Sequence, residues 1–222
     1  MLKNRESSLH RSLKFQYSGS GGDTEILEGS YVCDARTAGG ELIEVQIGSL
    51  GPLKEKVKTL CGKNKVRIIH QIIVKKHIEL YDTDGRLLYR RLSPRKGCSW
   101  DLFKALIYAP EFPRQRNLTI ELVHIDVVEK RINDGTGSWR RKGVSIGDRI
   151  LEAWHHSMLL RSRKDYGQFI PFSKKEEFTV RDLGKKAGIT PGLAKKTLYV
   201  LAKLDLVERI GKKGNAFVYQ KR

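Results

Sequence analysis

Two acidic residues, Asp34 and Glu44, lie ten positions apart in the segment GSYVCDARTAGGELIEVQIGS, and Gln46 follows them. Asp34 ends one apolar run and Glu44 lies within the next, with a glycine-containing turn between the runs. A hairpin turning at about residues 36–40 brings the two acids opposite each other or nearly so, and Gln46 shares a strand face with Glu44. Two carboxylates and a backbone carbonyl are hard oxygen ligands that suit Mg²⁺ or Mn²⁺. The spacing therefore predicts a metal site that activates water at a scissile phosphate.

Each acid alone also has a structural interpretation. Asp34 could serve only as a turn former, and Glu44 could belong to the polar face of an edge strand. The metal interpretation is favoured because spacing, net charge and the order of the surrounding elements agree.

The charge of the chain indicates a polyanionic partner. Its 222 residues include 43 Lys and Arg against 25 Asp and Glu, a net charge of +18. Such a field attracts nucleic acid first and an anionic membrane surface only as a weaker option. Neither a membrane-spanning apolar run nor a signal-peptide pattern is found, which favours a cytoplasmic protein without a membrane. The three widely spaced cysteines fit buried apolar residues in a reducing compartment.

The elements that must position the acids alternate between helix and strand. Helices are expected within residues 5–15, after Pro52 and at 99–108, where Ser99 would be the N-cap. Strands are expected at about 24–34, 40–48, 66–74, 77–82 and 117–130.

An Asp, nine intervening residues and Glu-x-Lys at the end of an apolar strand form the motif of the PD-(D/E)XK nucleases, and residues 1–130 resemble that family. The resemblance implies a restriction-endonuclease-like α/β fold, a mixed sheet flanked by helices, in a domain over residues 1–145. It also implies a Mg²⁺-dependent DNA endonuclease in which Asp34 and Glu44 bind the metal and water attacks the phosphate. Cleavage of both strands by one site per chain would favour a homodimer.

The lysine of this motif is replaced by Gln46, which can hydrogen-bond a water but carries no positive charge. In the family that lysine orients the attacking water and stabilises developing negative charge, although some members use glutamine and others take the lysine from a neighbouring element. The candidates for a replacement are Lys56, in the next helix, and Lys75 and Lys76, at the end of a strand. Glu6 on the first helix is the candidate third acid.

The C-terminal region, residues 146–222, resembles a winged helix-turn-helix domain. Segment 146–162 would be its first helix, Thr179 would cap the second, and Gly188 would end that second helix. The resemblance implies that the start of the third helix enters the major groove of duplex DNA while the wing contacts phosphate. The implied DNA-binding residues are Thr190, Lys195, Lys196, Lys212 and Lys213. A domain of this type that contacts protein, with its lysines merely solvated, is the alternative.

A further basic segment, SWRRKG, holds Trp139, Arg140 and Arg141. The arginines could line a DNA channel, and Trp139 is either an aromatic contact to the ligand or a packing residue at the junction of the two domains. Two other functions stay open: a non-catalytic DNA-binding protein or regulator with an inactivated nuclease-like domain, and a repair or recombination nuclease acting on branched DNA or RNA. A lysine standing beside the two acids would favour the enzyme over the regulator.

Overall fold

The computed structural model describes residues 6–19 and 23–222. Its larger sheet has seven strands in the order β1-β2-β3-β4-β6-β7, with β5 paired to β4. The strands are β1 (Asp23–Glu28), β2 (Tyr31–Arg36), β3 (Leu42–Gln46), β4 (Val66–Tyr81), β5 (Leu87–Leu92), β6 (Leu118–Ile132) and β7 (Ser145–Leu160). Strands β3, β4 and β6 run parallel to one another, and the other neighbours are antiparallel. The predicted mixed sheet is confirmed.

Helices pack against both faces of this sheet. Leu9 and Leu13 of α1 (Ser8–Ser18) share a buried cluster with Ile43 and Val45 of β3. The neighbouring residue Leu42 faces the other way, into a second cluster with α2 (Lys54–Leu60) and α3 (Leu102–Leu106). The predicted arrangement of a sheet flanked by helices is therefore confirmed at this level.

The turn before α2 has a clear origin in the sequence. Pro52 lies in a 3₁₀ turn, Gly51–Leu53, that leads directly into the helix. Proline suits this place because its fixed φ is already helical and its missing N–H would have no partner in a first turn. The helix expected at residues 99–108 is shorter than predicted, with a 3₁₀ turn over Ser99–Asp101 and Cys98 instead of Ser99 as its N-cap.

Two of the strand predictions need correction. The single strand expected at 24–34 is a hairpin, because Gly29 adopts a φ of 61° and turns the chain between β1 and β2. The two strands expected at 66–74 and 77–82 form one strand, β4, with an irregularity between Ile73 and Lys75.

The predicted helix at 146–162 is wrong, because these residues form β7, which pairs antiparallel with β6 over its length. Its apolar residues fit helical spacing too, but long-range pairing with an available strand overrides such a local preference. A division of the chain at residue 145 therefore assigns a strand of the larger sheet to the wrong side.

The residues after β7 form a 3₁₀ turn (Arg163–Phe169), β8 (Glu177–Thr179), α4 (Val180–Ala187), α5 (Pro191–Lys203) and a hairpin of β9 (Val207–Lys213) and β10 (Ala216–Lys221). Thr179 caps α4 and Gly188 ends it with a φ of 63°, as predicted. The three strands form a second sheet in the order β8-β10-β9. Buried residues of α4 and α5 continue the core formed by α2 and α3. Within the described residues, no helix is long and apolar enough to cross a lipid bilayer.

Candidate functional site

The predicted adjacency of Asp34 and Glu44 is confirmed by the register of the β2–β3 pair. Ala35 lies opposite Ile43 and Arg36 opposite Leu42, so Asp34 and Glu44 come next along the ladder. Here the regular backbone pairing stops, because the Asp34 carboxylate accepts the Val45 N–H at 2.7 Å.

Asp34 faces Lys14 and His10 of α1. Lys14 Nζ lies 3.4 Å from Asp34 Oδ1, and His10 Nε2 lies 3.6 Å from Asp34 Oδ2. Burial of Lys14 works against its charge, but hydrogen bonding to Glu6 and the charge of Asp34 outweigh this and raise the pKa of Lys14. The ammonium therefore stays charged beside Asp34 throughout the neutral range.

Glu44 is a buried carboxylate, with only 5% of its surface exposed. Burial is the main cause that raises the pKa of Glu44; the nearby charge of Asp34 acts in the same direction, and Lys56 acts against it. The Lys56 ammonium contacts Glu44 Oε1 directly, so this buried carboxylate has a cationic partner.

Lys56 is the lysine that the fold brings to the acids. Its position on α2 aims the side chain at β2 and β3, where Nζ also donates to the Val32 carbonyl at 2.7 Å. The side chain is largely buried, so the ammonium is held by these two partners rather than by solvent.

The other two lysine candidates lie elsewhere. His70 of β4 pairs with Gln46, and Lys76 comes six residues later (76 − 70), roughly 20 Å along the strand. Its ammonium lies 3.3 Å from Glu129. Lys75, which pairs with Asp126 in the ladder, is equally far along β4. The predictions that placed Lys75 and Lys76 beside Gln46 are wrong, because β4 continues straight past the end of β3.

Gln46 is engaged in local contacts. Its side-chain Nε2 donates to the Ser49 carbonyl at 2.8 Å, and its backbone carbonyl accepts from His70 Nδ1 at 3.0 Å. Burial lowers the pKa of His70, so this imidazole is neutral and acts as an ordinary structural donor.

Glu6 joins the site through α1. Its carboxylate lies 2.5 Å from His10 Nδ1 and 3.0 Å from Lys14 Nζ, and both of those residues also approach Asp34. Partial burial opposes the charge of Glu6, but hydrogen bonds from His10 and Lys14 outweigh it and lower its pKa. Sequence reasoning missed His10 and Lys14, although Glu6, His10 and Lys14 recur at intervals of four and therefore share one helix face.

Three oxygen-bearing groups near this point are of the type that a hard divalent cation takes. The donors are the carboxylates of Asp34 and Glu44 and the carbonyl of Val45, which His10 Nε2 contacts at 3.1 Å. Among the described residues, no group of three or more His, Cys, Asp or Glu is arranged for a metal. Two carboxylates are nevertheless a usual number for Mg²⁺, which keeps several of its waters.

The predicted nucleic-acid contacts of the C-terminal region are on its surface. Lys195 and Lys196 are exposed on α5, opposite the buried residues of that helix, and Lys212 and Lys213 are exposed on β9. Thr190 is exposed as the N-cap of α5, where its hydroxyl accepts from Leu193 N at 3.3 Å. The exposed face of α5 therefore presents its positive charge to solvent.

The basic segment around Trp139 lies in the loop between β6 and β7. Arg140 is exposed, whereas Arg141 is half-buried and donates through Nε to the Val144 carbonyl at 3.0 Å. Trp139 is 82% exposed, so its interpretation as a packing residue at a domain junction is wrong.

The comparisons with known proteins concern mainly the first sheet. A family model described as "Domain of unknown function (DUF8091)" matches residues 7–161, a range that ends one residue after β7. A protein of Treponema pallidum (strain Nichols), described as an uncharacterized protein, is 28% identical over 182 residues, which cover 82% of this chain and 72% of that protein. No solved structure matches the chain.

Proposed function

The chain belongs to the DUF8091 family, and we propose that it is a metal-dependent nuclease that hydrolyses phosphodiester bonds in DNA. The observation that carries the proposal is the contact of Lys56 with the buried carboxylate of Glu44, next to Asp34. It supplies, from a neighbouring helix, the positive charge that Gln46 lacks. The order of α1, the β2–β3 hairpin, α2 and β4 around these residues also agrees with the order expected for a restriction-endonuclease-like domain, with β1 as an additional strand.

Each residue of the site has a distinct part in the proposed reaction. Asp34 and Glu44 would hold Mg²⁺ or Mn²⁺, and the bound ion would supply an activated water and neutralise charge on the phosphate. Lys56 keeps a positive charge beside the developing negative charge of the attacked phosphate. Lys14 and Glu6 hold the Asp34 side of the site in place through their ion pair at 3.0 Å.

The C-terminal elements support binding of a duplex. α4, the turn at Gly188, α5 and the β9–β10 hairpin follow one another as expected for the later part of a winged helix-turn-helix, although strand β7 stands where its first helix was expected. Lys195 and Lys196 at the exposed start of α5 would lie in the major groove, and Lys212 and Lys213 would contact phosphate. The net charge of +18 favours this partner.

A second candidate function rests on the same contacts. Lys14 and Lys56 already set positive charge against the two acids, so each carboxylate has a cationic partner without a metal. A DNA-binding protein without catalytic activity needs no metal at this place, and the two acids would then only stabilise the fold through these ion pairs.

The test is nicking of supercoiled plasmid with Mg²⁺ or Mn²⁺. Asp34→Asn and Glu44→Gln are expected to lower the nicking rate at least about 100-fold, because each removes a charged oxygen ligand. Both variants should bind duplex as the wild type does in a mobility-shift assay without divalent ions. Glu55→Gln is the matched control, since Glu55 is exposed on the same helix as Lys56.

Two results would contradict the proposed nuclease function. One is a wild type that binds duplex yet never cuts plasmid, branched DNA or RNA with either ion, which leaves the non-catalytic protein. The other is a Glu44→Gln variant that nicks as fast as the Glu55→Gln control.

A further inference from the structure

The loop of residues 133–144, between β6 and β7, presents a single large aromatic side chain to solvent. Trp139 is 82% exposed, the highest exposure among the large apolar side chains of the described chain. The remaining residues of the loop are glycine, polar or charged, apart from half-buried Val144. An indole combines a large flat apolar ring with an N–H at its edge, which suits contact with a ligand that has one apolar face.

The backbone of this loop is fixed by its own contacts. Gly137 N donates to the Gly143 carbonyl at 2.7 Å, and Lys142 N donates to the Trp139 carbonyl at 3.0 Å. A Cβ at residue 137 would lie 1.8 Å from the Val144 carbonyl oxygen, so only glycine fits there. Lys142 itself adopts a left-handed φ of 53°. Trp139 is therefore presented by a preorganised loop, which lowers the entropic cost of binding.

Positive charge surrounds the indole. The Arg140 guanidinium lies 5.5 Å from the centre of the Trp139 ring, and Lys142 is exposed two positions further on. One face of the ring is thus covered by a cation, and the high exposure of Trp139 puts the other face in solvent. A flat aromatic face with flanking cations suits a nucleobase and its adjacent phosphates.

The loop lies far from the acids along the sheet. Gln46 pairs with His70, while Ile132, the last residue before the loop, pairs with Tyr81. The eleven intervening steps of β4 (81 − 70) span roughly 36 Å, the length of about ten base pairs of duplex. A nucleic acid that contacted both the acids and the loop would extend one helical turn past the acids. Only this relation between the two places rests on the proposed nuclease function.

We propose that the Trp139 loop binds unpaired nucleotides by stacking a base on the indole, with Arg140 and Lys142 holding the neighbouring phosphates. Bases inside a duplex are already stacked, so the ligand is single-stranded nucleic acid or the single-stranded part of a tailed or branched duplex. A lipid surface fits less well, because one indole among polar residues offers little apolar area for insertion.

The test is fluorescence anisotropy with a labelled single strand, a tailed duplex and a blunt duplex, all without divalent ions. Trp139→Ala should weaken binding of the single strand and the tailed duplex roughly 5- to 150-fold, the value of one stacked base, and change blunt-duplex binding by less than about 3-fold. Trp139→Phe should keep most of the affinity because phenylalanine also stacks. Phe15→Ala, which removes another aromatic side chain that is 75% exposed, should bind all three ligands as the wild type does.

Equal affinities of Trp139→Ala and wild type for the single strand would overturn the proposal, and so would an equal loss on blunt duplex. A Trp139→Ala variant that loses binding to vesicles of anionic lipid, with oligonucleotide binding intact, would assign the loop to a membrane surface instead. Because the assay contains no divalent ion, it measures binding alone. Its result therefore does not depend on whether the wild type cuts DNA.

Discussion

Glu44 and Lys56 form a buried ion pair in which the attraction of Lys56 stabilises the Glu44 carboxylate less than burial destabilises it. Burial raises the pKa of Glu44 even though Lys56 touches it, which means that ionisation of this side chain costs folding free energy. Sites of this kind are usual where a charge is needed for function rather than for stability.

The stability of two variants tests whether the Glu44–Lys56 pair is kept for function or for the stability of the fold. Lys56→Met leaves the Glu44 carboxylate buried and uncompensated, so it should lower the free energy of unfolding at pH 7 by about 2–4 kcal/mol. Because the folded-state pKa of Glu44 lies above its unfolded value, the loss should shrink as pH falls towards 5 and the carboxylate takes up a proton. The double variant Glu44→Gln/Lys56→Met should be as stable as the wild type or up to about 2 kcal/mol more stable. Urea unfolding at both pH values measures this; a double variant as unstable as Lys56→Met would assign the pair to the fold.

At this scale the sequence predicted the neighbours of Glu44 better than those of Asp34. Spacing was sufficient for the adjacency of the two acids, and the helix after Pro52 was sufficient to nominate Lys56. His10 and Lys14 were missed because their approach to Asp34 depends on how α1 docks on the sheet, which no local pattern specifies. Lys76 was placed wrongly because the length of β4 beyond Gln46 is set by its pairing with β6.

Among the elements, β4, β6 and β7 are tied together by one buried carboxylate. Glu129 of β6 is 1% exposed, and it lies within 3.3 Å of cationic groups of Lys76 on β4, Arg131 on β6 and Arg149 on β7. Burial opposes its charge, but hydrogen bonds from the two arginines and the charge of Lys76 outweigh burial and lower the pKa of Glu129 to about 2.

This carboxylate predicts how acid affects the sheet. Its folded-state pKa of about 2 lies below the ordinary value of about 4.3, so its stabilising contribution is complete above pH 4.3 and is lost as pH falls towards 2. Glu129→Gln should lower the free energy of unfolding at pH 7 by on the order of 2–3 kcal/mol and flatten its pH dependence in that window. Urea unfolding between pH 2 and pH 7 tests this against exposed Glu55→Gln, which should change stability by less than about 0.5 kcal/mol. A pH dependence identical to that of the wild type would contradict it.

Helices and strands could be predicted where capping or turn residues mark their ends. They could not be predicted where the secondary structure depends on pairing with a distant strand. Thr179 and Gly188 indicated both ends of α4 before any tertiary contact was known. In contrast, β7 has apolar residues at positions that suit either a helix or a half-buried strand, and only β6 decides between them.

On the scale of the whole molecule, the two sheets share one core. Leu193, Leu198 and Leu201 of α5 lie in the same buried cluster as Leu102 and Phe103 of α3. Arg114 also donates from the first part of the chain to the Lys203 carbonyl at 2.9 Å. The sequence indicated a mixed sheet followed by three helices and a wing, and the first of these helices is strand β7 instead. The shared core could not be predicted, because it depends on faces that meet only after both parts have folded.

The extent of the larger sheet separates the two places that we propose to contact nucleic acid. Asp34 of β2 and Glu44 of β3 lie on neighbouring strands, and the Trp139 loop lies beyond the far ends of β4 and β6. Net charge alone indicated nucleic acid without locating these surfaces, because composition carries no positional information.

The most direct test of the central claim is whether Lys56 does the work that a lysine at position 46 does in nucleases of the resembled family. Plasmid nicking would be measured for the wild type, Lys56→Met, Gln46→Lys/Lys56→Met and the exposed control Lys58→Met. We expect Lys56→Met to nick at least about 100-fold more slowly and the added lysine to restore at least about 10-fold, because residues 44 and 46 share a strand face. Lys58→Met should match the wild type. Nicking by Lys56→Met at the wild-type rate, or no nicking by the wild type, would contradict the account.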